Sequence, residues 1–224
     1  MHQLSLPRWI RLLFSRIAIL WPLKAAGTMV FMAIFFWGYF WVLRNPRIPI
    51  TVMPLIGLDA WIPFTPLAFT VYASLWIYVS LPPALLGNFR MLAHYGQWMS
   101  GMCLFCLGIF WLLPTGVPQA DIDWRLYPSM ALIKDADTAG NACPSLHVAS
   151  AVFSAFWLER LFRVVGVPGM VRWLSGAYCL AILWSTMATR QHVAIDVLVG
   201  TAVGAAFAVL SLRHAMAVAP AGEI

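Results

Sequence analysis

Charge is scarce in this sequence, and negative charge scarcest of all. Only 10% of its 224 residues are Asp, Glu, Lys or Arg, and Asp and Glu together number eight. A soluble domain carries about 25% charged residues. With 62% hydrophobic residues and a mean hydropathy of +0.82, so few charges cannot cover the apolar surface in water. Lipid must cover it. Cysteine is also scarce. Cys103 and Cys106 have CxxC spacing, but Cys143 and Cys179 stand apart and no second pair or neighbouring histidine completes a metal site. The three inside apolar runs, Cys103, Cys106 and Cys179, read as packing residues. Runs of basic residues are absent as well. The formal net charge is +6, yet Lys and Arg fall singly between long apolar stretches. That pattern marks membrane flanks and excludes nucleic acid as a partner.

What is present is a series of long apolar runs. Residues 1–24 set Arg8, Arg11, Arg16 and Lys24 among Trp9, Ile10, Leu13, Phe14 and Ile17. This spacing predicts a basic amphipathic helix lying in the membrane interface. Its apolar stretch Ile17–Trp21 is short for a signal-peptide core and runs into Pro22 and Lys24. Residues 25–214 then hold six predicted spans: Ala25–Leu43, Ile62–Leu81, Trp98–Leu113, Ser145–Phe162, Met170–Ala188 and His192–Leu212. Residues 215–224 form a short tail. The expected fold is therefore an all-α integral membrane protein of six transmembrane helices preceded by an interfacial helix.

Charge also sets the expected orientation. With the N-terminus inside, nine Lys and Arg lie on inner segments and five on outer ones, which favours both termini in the cytoplasm. The one long loop, from Pro114 to Pro144, contains Asp121, Asp123, Arg125, Lys134, Asp135 and Asp137 and would face the exterior, the periplasm if the membrane is a bacterial inner one. Asp59 and the loop aspartates read as solvated. His94 and His214 read as interface residues at inner flanks.

Ionisable residues inside a membrane are costly, so they are functional candidates. His147 follows Pro144-Ser145-Leu146 at the start of the fourth span, and His192 and Asp196 open the sixth. The six-span layout brings all three to the outward face although about 45 residues separate the histidines. His192 and Asp196, at i and i+4, share a helix face. A carboxylate on one imidazole nitrogen leaves the other as nucleophile or base. Ser145 and the free amides of a helix start can cradle phosphate. Two histidines and an aspartate are also the ligand set of a facial metal site, and a non-catalytic anion-binding role is a third reading. Gly200 and Gly204 read as a close helix-packing pair.

At these residues the chain resembles the type 2 phosphatidic acid phosphatase superfamily of lipid phosphatases and phosphotransferases. That family has a P-S-G-H element opening one helix and an S-R-x5-H-x3-D element leading into a later one. Here they are matched by Pro144-Ser145-Leu146-His147 and by Ser185-Thr186 followed by His192-x3-Asp196. Three family features are missing. Residues Leu113 to Ala120 contain no K-x6-R-P element, Thr186 stands where the third element has arginine, and Leu146 replaces the glycine. The P-S-L-H form with Gln191-His192 is more similar to the inositol-phosphorylceramide synthase and sphingomyelin synthase branch. The resemblance implies a nucleophilic His192 that forms a phosphohistidine, Asp196 supporting it, and His147 as acid and then base. It implies phosphate binding by Ser145, Leu146, Ser185 and Thr186, with Arg190 and Lys134 in place of the lost cations. The implied substrate is a lipid phosphate drawn from the membrane lipids; water or a lipid alcohol is the acceptor, and neither metal nor cofactor is required.

Overall fold

A computed structural model describes residues 6–130 and 140–218, the side chains of 216–218 excepted. Lys134, Asp135, Asp137 and the tail beyond 218 lie outside the described residues. The chain is mostly helical. Helix α1 spans Arg8–Ala18 and α2 Trp21–Arg44, with Leu20 between them in the left-handed region at φ 56°. The second helix starts earlier than the apolar run predicts because Pro22 falls in its first turn, where no amide is needed. Lys24 is buried there. Its Nζ donates to Arg16 O at 2.7 Å and Ala84 O at 2.8 Å, tying the start of α2 to α1 and to a later helix.

The short helix α3 (Gly57–Trp61) precedes α4 (Ala68–Ala73) and α5 (Leu75–Leu85), which are separated at Ser74. Pro82 and Pro83 lie inside the last turns of α5 and do not end it. Helix α6 covers Phe89–Leu112, capped by Asn88 Oδ1 accepting from Met91 N at 2.8 Å. Three long helices complete the bundle: α7 (Leu146–Val165), α8 (Gly169–Ala188) and α9 (Ala194–Val218).

Among the described residues, four helical stretches are long and apolar enough to cross a membrane: Trp21–Arg44, Ala68–Leu85, Phe89–Leu112 and Ala194–Ala215. Helices α7 and α8 have 20 residues each, but α7 carries Glu159, Arg160 and Arg163 and α8 mixes serines, glycines and Arg172 into its sequence. The central helix is α7. Its Val148, Ala149, Phe153, Trp157, Leu158 and Leu161 are wholly buried, and its closest packing is against α9. The two glycines of α9 make that contact possible. A Cβ on Gly200 would sit 2.5 Å from Ser145 O, and one on Gly204 would strike Ala149 O, so small residues bring the two backbones together as expected.

Among the described residues the fold contains one departure from all-α. Strand β1 (Thr51–Val52) pairs in parallel with β2 (Thr115–Gly116), and Thr115 bridges to Asn141. Thr115 Oγ1 also accepts from Cys143 N at 2.8 Å. This small ladder gathers three loops over the start of α7. It lies where the sequence lacks the K-x6-R-P element, and backbone pairing organises that segment instead.

Candidate active site

Two helix starts meet at the site. Ser145 caps α7: its Oγ accepts from Val148 N at 3.3 Å, and its own N donates to Asp196 O at 3.0 Å. The cap therefore fixes α7 to α9 directly. Ser145 is wholly buried, with its hydroxyl engaged by the helix. At the start of α9, Asp196 Oδ2 accepts from Val193 N at 3.1 Å. Asp196 thus caps the helix start, its carboxyl group placed against the positive end of the helix.

The turn between α8 and α9 places His192. Thr186 O accepts from both Gln191 N (3.0 Å) and His192 N (3.1 Å), and Arg190 adopts φ 58°. Ser185 and Thr186 are buried with their hydroxyls on Ile182 O and Leu183 O. They shape the turn from behind. The solvated reading of Asp59 is overturned here. Asp59 is buried; Oδ2 accepts from Ile56 N and Oδ1 from Ala194 N, each at 2.8 Å. Thr65 N donates to Ala188 O at 2.9 Å. Residues 56–65 therefore clasp both ends of the His192 turn. Asp59 satisfies an orphan amide at the start of α9, a role no nearby sequence signal announces because its partner lies 135 residues away.

Four side chains of the site form a series. His192 Nδ1 lies 3.5 Å from Asp196 Oδ2, His192 Nε2 lies 3.3 Å from His147 Nδ1, and His147 Nε2 lies 3.2 Å from Tyr72 Oη. An ionised Asp196 only accepts. With the His192 proton on Nδ1, facing that carboxylate, Nε2 is a bare lone pair. His147 then donates from Nδ1, and its Nε2 accepts from the Tyr72 hydroxyl when the ring is neutral or donates to it when the ring is an imidazolium. The 3.5 Å separation is longer than a hydrogen bond; His192 Nδ1 and Asp196 Oδ1 have no hydrogen-bond partner among the described residues. Tyr72 was not singled out by its sequence, which presents one tyrosine in an apolar helix.

Beside this series opens a cavity of about 460 Å³. His147, His192, Asn141 and Leu146 stand at one end, and Leu23 and Lys24 at the other, between α2, α5 and α6. Its walls are almost wholly apolar or aromatic. Tyr39 and Lys24, both on α2 and both lining it, are 15 residues apart, so it runs about 22 Å along the bundle. Of the sequence-predicted residues, His147, His192 and Leu146 line this cavity. Asp196 stands behind His192, while Ser145, Ser185 and Thr186 support the backbone. Arg190 is half-buried on the turn beside His192 but does not line the cavity.

A family model described as the PAP2 superfamily matches residues 56–210. The chain belongs to the PAP2 superfamily. No curated protein and no solved structure matches it. The matched stretch begins at Ile56, whose amide Asp59 accepts, and includes every member of the series Tyr72, His147, His192 and Asp196. Membership in the PAP2 superfamily places the chain among phosphatases and phosphotransferases that act on phosphorylated substrates.

Near the reactive centre, Cys143 also bears on chemistry. Burial, and then the negative charge of Asp196, push its thiol up to about 11. It stays protonated at neutral pH and is no rival nucleophile.

Proposed function

We propose that this PAP2-superfamily chain cleaves or transfers the phosphoester of a membrane lipid through a phosphohistidine on His192. The observation that carries the reading is the placement of the His147–His192 pair at one end of a long apolar cavity. A phosphate headgroup would meet the histidines while its hydrocarbon chain lies between α2, α5 and α6. His192 Nε2 attacks phosphorus and the bond to the leaving oxygen breaks; His147, which enters this step as the imidazolium with its Nε2–H donating to Tyr72 Oη, gives that oxygen its Nδ1 proton and becomes neutral. The phosphoryl group enters between the two rings, whose nitrogens separate to admit it. Asp196 closes on the now cationic His192. Water or a lipid alcohol then gives its proton to His147 as its oxygen displaces His192 from phosphorus. Arg190, on the turn beside His192, supplies positive charge to the equatorial oxygens.

In this reading α7 and α8 join the four apolar helices as spans, α1 lies in the interface, and both termini are cytoplasmic. The histidines then open to the exterior, or to the periplasm of a bacterial inner membrane. A lipid-alcohol acceptor, as in the inositol-phosphorylceramide and sphingomyelin synthase branch, is the second reading. The enclosure of the nucleophile favours it: His192 is 4% exposed and Tyr72 1%, and a dry site disfavours hydrolysis.

Purified protein incubated with lipid phosphates and diphosphates, with and without lipid alcohols, tests both by product mass. Release of inorganic phosphate or formation of a new phospholipid is expected, inhibited by vanadate and unaffected by chelators. Loss of turnover on chelation, restored by added metal, would replace phosphohistidine chemistry with metal chemistry.

A further inference from the structure

At the other end of α7 lies a second cavity, of about 470 Å³, between α7, α8 and α9. Glu159, Arg160 and Arg163 of α7 and Arg172 of α8 line it, against the apolar side chains of Phe156 and Leu212. The charges do not balance. Glu159 accepts from Arg163 Nε at 2.5 Å, from Arg172 Nε at 3.1 Å, and from Arg172 Nη2. One carboxylate thus serves two guanidiniums, and Arg160 is left over. Its Nε is buried and has no hydrogen-bond partner among the described residues. An arginine that only marks a membrane border extends its head to water. Here Arg160 is half-buried and its Nε is held out of water with no acceptor, beside two further cations, and an anion in the cavity would complete the group.

We propose that this cavity binds a phosphate-bearing anion, and that its source is the headgroup of an anionic phospholipid from the leaflet opposite the histidines. The guanidiniums of Arg160, Arg163 and Arg172 take the phosphate oxygens, and the chains leave along Phe156 and Leu212. Arginine suits this role because its planar fork matches phosphate geometry. Glu159 keeps two of the three forks in place when the site is empty. The site is separate from the reaction centre, since Glu159 stands 12 residues from His147 on α7, about 18 Å along its axis. The lipid source rests on the membrane reading above, but binding is read without turnover, so either reading can fail alone.

The test is native mass spectrometry of the full chain in neutral detergent, with dioctanoyl phosphatidylglycerol, dioctanoyl phosphatidylcholine and inorganic phosphate as separate probes. Phosphatidylglycerol should bind in preference to phosphatidylcholine. Arg160→Gln should weaken phosphatidylglycerol about tenfold, the scale of one charge-assisted hydrogen bond. Glu159→Gln should tighten it, because Arg163 and Arg172 lose their internal partner. Thermal melting of each variant separates loss of binding from loss of fold, and a folded Glu159→Gln keeps the test alive if Arg160→Gln unfolds. Equal binding of the two lipids, or folded variants that bind phosphatidylglycerol as the parent does, would overturn the proposal. Arg160-dependent binding of inorganic phosphate without phosphatidylglycerol would overturn the lipid source.

Discussion

The facing nitrogens of His147 and His192, 3.3 Å apart, assign different chemistry to two residues of one kind. Only His192 has a carboxylate behind it, so in the proposed reaction its far nitrogen is the nucleophile, and His147, with a phenol behind it, is the proton carrier. His192→Ala should therefore abolish turnover and any acid-labile phosphoenzyme. His147→Ala should cost about 10²–10⁴-fold on lipid alkyl esters and far less on an aryl phosphate, whose leaving group needs no acid. Rescue of His192→Ala by aryl phosphates, rather than of His147→Ala, would exchange the roles. Asp59 acts at one remove, through Ala194 N beside the His192 turn. Asp59→Ala leaves the buried amide of Ala194 unpaired, at about 1–3 kcal/mol, frees the more exposed amide of Ile56, and should lower kcat about tenfold with little change in KM on an aryl phosphate. Asp59→Asn keeps one accepting oxygen and should fall between. A rise in KM with kcat intact would instead put Asp59 in substrate binding.

Helices bring these side chains together only because two of them cross closely. Gly200 faces Ser145 and Gly204 faces Ala149, and the obstructing atoms are backbone, which cannot rotate aside. Gly204→Ala should destabilise the fold by about 1–3 kcal/mol, seen as a lower melting temperature. Gly200→Ala pushes on the start of α7, so it should separate His147 from His192 and lose more activity than stability. Gly108→Ala on α6 meets nothing within 4 Å and should change neither. The glycine pair was legible in the sequence because four-residue spacing places both on one helix face. The long helices were legible for the same kind of reason, since unbroken apolar runs have one physical solution in lipid. Pro82 and Pro83 misled: two prolines look like a break, yet the helix carries both into its last turn at the loss of one amide bond each. The clasp of Asp59 on Ala194, the Tyr72 contact with His147 and the ladder of Thr51–Val52 on Thr115–Gly116 were not legible. Each joins segments tens of residues apart, and a lone Asp, Tyr or Thr carries no local pattern that names its partner.

Across the whole molecule, the reaction centre and the cavity are separable parts of one bundle. The histidines sit at the starts of α7 and α9, whereas the cavity walls come mainly from α2, α5 and α6. Chemistry on a headgroup and accommodation of its chain should therefore respond to different substitutions. Gly96 lines the cavity from α6, and a Cβ there would meet nothing within 4 Å, so Gly96→Phe can point a large ring into the open space without displacing backbone. A lipid substrate would lose room for a few methylene groups. At about 0.8 kcal/mol per buried CH₂, the loss of two raises KM roughly tenfold. An aryl phosphate has no chain to place there, so its kcat and KM should stay at the parent values. Chain length provides the internal control, because a short-chain lipid phosphate should suffer less than a long-chain one. Steady-state kinetics on the three substrates reads the result directly. Equal loss on all three would mean that the ring has disturbed the histidines, and no loss on any would mean that the hydrocarbon chain lies elsewhere than between α2, α5 and α6.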